Sequence, residues 1–528
     1  MKKRLLGLFF AWCAGWSVLL AAGCLRADEK SKVREPAVAG AFYPGQAEVL
    51  SKLVDQLIAQ AVVPANPGRL VALVAPHAGY EYSGAVAAHS YALLKGQKFE
   101  RVVVIAPSHY EYFPFASVYD GDAYVTPLGS VPVDKEFAAK LAKLSPLIQL
   151  SSAGHVASGD KREHSVEVEL PFLQRALGSF KLVPIIMGEQ NYDVERAVGV
   201  ALAKTVAGTN TLIVASSDLS HYHPYDEATS LDGKTLRAIA EWDYLSMSEN
   251  FGARVWEACG GGPIVSAMIA AERLGANEAR VLKYANTGDV TGDHSKVVGY
   301  SAVAFLQTAS HAARSEKFSL SAKEKELLLQ IARKSVESAV TGKTYDPQPP
   351  AFDALLQERG AFVTLTENGE LRGCIGVVTA SKPLYLAVRD AAASAALHDP
   401  RFDSVAPSEL SKLDYEISVL SPFHRVLDTK EIRVGRDGLL MIAREHGGLL
   451  LPQVPTEQGW DRETFLEQTC RKANLPADAW QDEDTDIFAF TALVFNDRGV
   501  GEGIMPQVPS AAQPSRPSTQ PAPDSPKP

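Results

Sequence analysis

The sequence predicts an α/β fold: a mostly parallel sheet with helices on both faces, followed by a smaller α+β domain. Four short apolar runs, Leu70–Ala75, Arg101–Ala106, Lys181–Ile186 and Leu212–Ala215, are scarcely interrupted by polar residues. That is the pattern of strands buried on both faces. Longer helical stretches alternate with these runs from Ala37 to about Leu306, as they do where covering helices join parallel strands. The pattern then breaks at the polar stretch Gln307–Lys317, and segments of a different kind follow.

In chain order, Met1–Arg4 is basic, Leu5–Ala22 is almost wholly apolar, and polar sequence starts at Arg26. Residues 1–23 therefore read as a secretory signal. The ending Leu20-Ala21-Ala22-Gly23-Cys24 resembles a bacterial lipobox, in which Cys24 carries the lipid, although the leucine lies one residue farther from the cysteine than is common. Lipidation, ordinary cleavage and an uncleaved anchor remain open. All three place the rest of the chain in the cell envelope or periplasm, and lipidation would tether it to the membrane through Cys24. Residues 24–34 form a charged tether, 35–309 the first domain and 310–319 a linker. Ser321 to about Thr341 has the period of an amphipathic helix, with Leu327, Leu328, Ile331, Val336 and Val340 as its apolar residues. Strand-like segments at Ala361–Thr366, Tyr415–Leu420 and Gly448–Leu451 complete a second domain over 320–503. Residues 504–528, rich in Pro, Ser, Ala and Gln, have too little to bury and read as a disordered tail.

A chain of 528 residues is too long for one ordinary core. Its net charge of −10 and lack of a basic run argue against nucleic acid as a partner. Cys13 lies in the signal, so Cys259, Cys374 and Cys470 remain besides Cys24. Three is odd, which leaves at least one thiol outside any intramolecular bridge. We expect all three to be reduced.

Three of the predicted strands run into histidine-bearing loops: Pro76-His77-Ala78-Gly79-Tyr80, Pro107-Ser108-His109-Tyr110, and Ser216-Ser217-Asp218-Leu219-Ser220-His221-Tyr222-His223. Ligands of open α/β sheets bind outside the carboxyl ends of the strands, so these loops can converge on one crevice. The similar Ala-Pro-His and Ala-Pro-Ser-His endings suggest neighbouring strands. Each feature also has a plain structural reading. A loop histidine is most often a satisfied polar group, and Asp218 and His221 can cap a helix. Cys259, before Gly260-Gly261-Gly262-Pro263, can be a small buried hydrophobe. Those glycines permit close approach to a ligand or form a turn before a helix starting near Ile264. Taken together, the loops and the cysteine favour a site.

At these residues the chain resembles a known family. Ala39-Gly40-Ala41-Phe42-Tyr43-Pro44, the Pro76–Tyr80 loop, the Pro107–His109 loop, Glu163-His164-Ser165-Val166-Glu167, the Ser216–Tyr222 loop and Cys259–Pro263 occur in the order of the Memo family, over roughly residues 33 to 309. The resemblance implies a fold similar to class III extradiol dioxygenases and a non-haem metal pocket at the sheet edge. It implies His77, His109 and Cys259 as metal ligands, with Asp218 and His221 lining the same pocket as catalytic groups. His164, spaced three residues from Glu167, joins them as a weaker candidate. One departure is Phe42, where some members carry Trp. Imidazole plus thiolate suits iron(II), copper or zinc far better than magnesium or calcium, and for this resemblance we expect iron(II) first, then copper, then zinc.

Leu371-Arg372-Gly373-Cys374-Ile375-Gly376, His398-Asp399-Pro400-Arg401-Phe402, Leu449–Val454 and the Trp460…Leu466 segment are similar to the AMMECR family, over roughly residues 320 to 503. Arg372 and Cys374 mark a binding or nucleophilic site there, or else a tight glycine turn with a core cysteine. Members of both families occur with a radical-SAM protein in the AmmeMemoRadiSam system, which implies such a partner. Three functions stay open: a metal-dependent redox enzyme, dioxygenase-like, acting on an unknown small molecule; a module that binds metal or a peptide; and a scaffold that joins a partner to the second domain.

Overall fold

A computed structural model describes residues 32–64, 68–156, 162–309, 318–443 and 446–497. Residues 1–23, Cys24 and the tail from 504 lie outside them. No helix among the described residues is long and apolar enough to cross a membrane.

The first domain is built on a nine-stranded sheet. Its strands are β1 (Arg69–Ala75), β2 (Arg101–Pro107), β3 (Ala116–Tyr119), β4 (Ile148–Ser151), β5 (Lys181–Met187), β6 (Thr211–Ser216), β7 (His221–His223), β8 (Glu278–Asn286) and β9 (Val297–Gln307). They lie in the order β7-β9-β1-β6-β2-β5-β3-β4, with β8 also paired to β9. The central strands β1, β6, β2 and β5 are parallel. Antiparallel pairs join β9 to β1 and β5 to β3 at the flanks.

The four apolar runs are these four central strands. Successive side chains on a strand face opposite ways. On β2, Val103 and Ile105 join one core cluster, while Val102, Val104 and Ala106 join the other. Helices α1 (Ala47–Gln60) and α2 (Gly84–Ala92) supply Leu50, Val54 and Tyr91 to the second cluster. Helices α3 (Tyr192–Val206) and α4 (Gly261–Arg273) supply Val198, Ile264 and Met268 to the first. Burial on both faces is the reason the runs need no polar residue.

Two local expectations are corrected. Strands β1 and β2, with their similar endings, are not neighbours, because β6 lies between them and pairs with both. Helix α4 starts at Gly261 rather than near Ile264. A Cβ on Gly260, just before it, would lie 2.3 Å from the Ser216 carbonyl oxygen. That glycine lets the turn close down on the end of β6.

In the second domain, helix α5 (Ala322–Val340) matches the predicted amphipathic stretch. Ser321 caps it and forms a capping box with Glu324. Helices α5 and α6 (Leu384–Leu397) cover one face of an antiparallel sheet of β10 (Ala361–Glu367), β11 (Glu370–Val377), β12 (Leu413–Leu420) and a last strand, Ala492–Asn496. A second four-stranded sheet includes Gly438–Ala443, His446–Leu450 and Asp486–Phe490. The domains share an apolar cluster, in which Phe423, Phe488 and Phe490 of the second join Tyr244 and Met247 of the first. Asp486 crosses the junction to Arg196 on α3 and Arg273 on α4, and also meets Arg425 of its own domain.

Candidate metal centre

The ends of β1, β6 and β2, with the turns beside them, build the site. His77 follows β1, and its side chain is 1% exposed. His109 follows β2 and His164 lies in the Glu163–Glu167 segment, with side chains 25% and 11% exposed. The rings of His109 and His164 stack at 4.8 Å between centroids, and that of His77 stands edge-on to both at 5.1 and 5.6 Å. Cys259, in the turn before α4, brings its Sγ within 3.2 Å of His77 Nε2.

His77, His109 and His164 form one group whose ligand atoms all lie within 4.8 Å of one another. His77, Asp218 and Cys259 form another, so His77 belongs to both, while among the described residues no such group holds His109 and Cys259 together. The fit to a metal is good on two observations. Nitrogen and sulfur bound to one tetrahedral ion at about 2.1 and 2.3 Å stand about 3.6 Å apart, and His77 Nε2 and Cys259 Sγ at 3.2 Å are near enough to share one. His164 Nδ1 is buried, makes no hydrogen bond among the described residues and stands 3.8 Å from Glu163 Oε1, so it has room for a closer partner.

The rings are held by oxygen atoms behind them. His77 Nδ1 is 2.7 Å from Ser216 Oγ, which also lies 2.7 Å from the Ser165 carbonyl oxygen and 2.7 Å from Glu169 Oε1. A hydroxyl has one proton to donate. The carbonyl can only accept, as can an ionised Glu169, so His77 Nδ1 must be the donor to Ser216. That leaves Nε2 unprotonated on the side of Cys259. Burial pushes the Glu169 carboxyl up to about 8, and a neutral Glu169 can itself donate to Ser216 while the serine bonds the carbonyl. Glu163 does the same for His109: it accepts the His109 backbone N–H at 2.6 Å and faces Nδ1 at 2.9 Å. Burial opposes the Glu163 charge, but His109 holds the carboxyl well below the usual range. Burial likewise opposes the His109 charge, and Glu163 outweighs it and raises the ring.

Around them the field is shaped by burial. His77 is driven well below its ordinary value by burial, then by the neighbouring imidazoles, and His164 falls to about 4 for the same two reasons. Asp218 rises to about 7 through burial. The Cys259 thiol is pushed up by burial and then by Asp218, although the Asp218 backbone N–H points at its sulfur from 3.3 Å. A cation among these groups reverses that balance, because a coordinated thiol is deprotonated.

Of the residues singled out in the sequence, His77, His109, His164, Cys259 and Asp218 come together here. Asp218 is not a helix cap. It lies in a loop, accepts the His77 backbone N–H at 2.9 Å and stands 4.0 Å from His77 Nε2. Asp218 and His221 are also not a helical turn apart, since His221 begins strand β7. The His221 ring stands outside both ligand groups, yet close enough for its charge to act on His77. Nor does His164 pair with Glu167, whose carboxylate is taken by Arg34, Tyr43 and the backbone of Ala37 and Val38. Phe42 meets the His164 ring edge-on at 4.7 Å, so an aromatic contact exists there with Phe as well. Sequence reasoning missed Glu163, Ser216 and Glu169 as the groups that orient the rings. The signals were the Glu163-His164 pair and the serine ending a buried strand.

Arg372 and Cys374 are in the second domain, on β11. Arg372 is tied to Glu409 at 2.7 Å and to the Asp403 carbonyl at 2.8 Å. The Cys374 Sγ takes the Thr364 hydroxyl at 3.3 Å, and burial raises the thiol. The expected tight glycine turn is absent, for this segment is strand. Gly373 lets α6 approach, since a Cβ there would lie 2.1 Å from the Ala395 carbonyl oxygen. Cys259, Cys374 and Cys470 are all free thiols.

Comparison with known proteins places this arrangement. A family model described as Memo-like protein matches residues 34–304, and one described as AMMECR1 matches residues 329–495. A MEMO1 family protein of Methanopyrus kandleri is 38% identical over 283 residues, covering 52% of this chain and 98% of that protein. One from Aeropyrum pernix is 39% identical over 287 residues, covering 52% and 99%. Among solved structures, an uncharacterized protein from Pyrococcus horikoshii is 41% identical, with 35% of this chain and 93% of that chain covered and a TM-score of 0.32.

Proposed function

The chain belongs to the Memo family and carries an AMMECR1 domain behind its Memo domain, and on that premise we propose that it is an exported, metal-dependent redox enzyme whose ion is held by His77, His109 and Cys259. The observation that carries this reading is that His77 shares one ligand group with His109 and another with Cys259, whose sulfur is 3.2 Å from its Nε2; an ion held by all three draws His109 and Cys259 closer together. His164, stacked on His109 with a buried unpartnered nitrogen, is the fourth candidate ligand. Two or three imidazoles and a thiolate suit iron(II), copper or zinc, and we propose iron(II) first because the reading is of a redox site. When bound, such a metal supplies electron transfer and open positions for oxygen or a substrate.

The chain's own residues do the rest. Ser216 and Glu163 fix the rings so that both Nε2 atoms face inward, as partners behind a metal site do. Asp218 and His221 stand at the edge of the same pocket and would hold or pass a proton. The substrate is a small molecule or peptide, and a radical-SAM protein is the partner we propose. Anaerobically purified protein should hold about one ion per chain, and His77→Ala less than about a tenth of that. Full occupancy in both His77→Ala and Cys259→Ser would sink the reading, and electron paramagnetic resonance would separate iron or copper from zinc.

A further inference from the structure

We propose that the cleft between the two domains is a binding site for a small molecule with an apolar body and a cationic amine. The cleft has a volume of about 620 Å³, within the range of ligand pockets. Leu245 of the first domain and Val378, Phe423, Leu440 and Ile442 of the second supply its apolar wall. Neither domain alone makes this wall.

Charge selects the ligand. Glu189 and Glu249 line the cleft, and no Lys or Arg does so among the described residues. Glu189 receives the Tyr112 hydroxyl at 3.0 Å and the Gln190 backbone N–H, and takes part in no ion pair among the described residues. Glu249 is exposed and likewise has no ion pair among them. The nearest cations on α3 and α4, Arg196 and Arg273, are occupied by Asp486. Asn191 adds its amide nitrogen, the oxygen being used to cap α3. An ammonium group gains from two carboxylates that no protein cation neutralises, whereas a carboxylate ligand is repelled.

The walls are fixed by contacts that cross the junction. Besides the Asp486 cluster, Glu358 of the second domain accepts Lys234 Nζ at 2.8 Å and Trp256 Nε1 at 2.9 Å. Asn250 Nδ2 donates to the Ala380 carbonyl at 3.0 Å. The cleft is therefore largely pre-formed, which lowers the ordering cost of binding. Gln190 also connects the cleft to the turn of Cys259: its Nε2 donates to the Cys259 carbonyl at 3.0 Å, and its Oε1 accepts from Gly262 N–H at 2.8 Å. A ligand against Gln190 thus touches the segment that positions the sulfur, though its binding does not depend on a metal at His77.

Calorimetry on the full chain tests this with 4-phenylbutylamine and its anionic counterpart 4-phenylbutyrate. The amine should bind at least about tenfold more tightly than the carboxylate. Ile442→Trp and, separately, Leu245→Trp should fill the cleft and abolish amine binding, and Glu249→Gln should weaken the amine several-fold without weakening the carboxylate. The proposal is overturned if the amine shows no binding at millimolar concentration, if the two probes bind equally, or if either tryptophan variant with an unchanged melting temperature binds the amine as before. Metal content, measured alongside, reports separately on the centre at His77.

Discussion

His77 Nδ1 and Ser216 Oγ lie 2.7 Å apart at the ends of two adjacent parallel strands. Because the serine proton is claimed by an acceptor, the ring donates, and Nε2 is left free to face Cys259. Ser216→Ala removes the hydroxyl that holds this tautomer. We expect metal affinity to drop about 10- to 100-fold, together with a lower melting temperature of the metal-free protein, because His77 Nδ1, the Ser165 carbonyl and Glu169 lose a buried partner. Titration with a competing chelator measures it, and unchanged affinity would show that Ser216 does not orient the ring.

The state of the Cys259 sulfur follows from the same centre. Without a cation, burial favours the protonated thiol, so the sulfur labels slowly but is not blocked by a bound ion. With one, the sulfur is coordinated and shielded. Thiol labelling should find Cys259 unreactive in metal-loaded protein and more reactive after chelation, with Cys470, which is fully buried, unlabelled in both. Equal labelling of Cys259 in the two states would remove it from the ligand set.

Asp486 is 2% exposed and faces Arg196, Arg273 and Arg425. Burial opposes its charge, but the three guanidinium groups hold its carboxyl below the usual range. Asp486→Ala leaves three cations together at the domain junction. Truncating one partner of such a buried set costs about 3–5 kcal/mol. Thermal unfolding should fall and split into two transitions as the domains lose their common cluster. A single transition at the wild-type temperature would mean that the junction does not depend on Asp486.

Glu195, on α3, is fully buried, and burial raises its carboxyl to about 8. Its unfolded value is the ordinary one, about 4.3. Between these values the unfolded chain releases a proton that the folded chain keeps, so stability from this group is lost as pH rises from about 4 to 8 and levels off above that. The loss is on the order of a few kcal/mol. Glu195→Gln should flatten this part of the stability profile in denaturant titrations at pH 5, 6, 7 and 8. The same slope in both proteins would exclude Glu195 as its source.

Cys24 gives a prediction about processing. If it is lipidated, globomycin should cause the unprocessed precursor to accumulate, and Cys24→Ala should fail to be anchored in membranes. Normal processing under the drug would leave ordinary cleavage or an uncleaved anchor.

The sequence by itself determined the two-domain plan, the four central strands and the helix that follows Ser321, because these depend on local pattern: unbroken apolar runs and a helical period. It also gathered His77, His109, Asp218 and Cys259 as candidates, since strand ends and a glycine turn are visible in one dimension. The tertiary structure alone decided that β6 separates β1 from β2, which puts Ser216 rather than a second histidine behind His77. It brought His164 onto His109 and turned Glu167 away toward Arg34. It also formed the Asp486 junction from arginines more than two hundred residues distant in the chain. Strand order and partner choice follow from which faces bury together and which buried charges find a counter-charge. Both depend on distances through space that residue spacing along a chain does not carry.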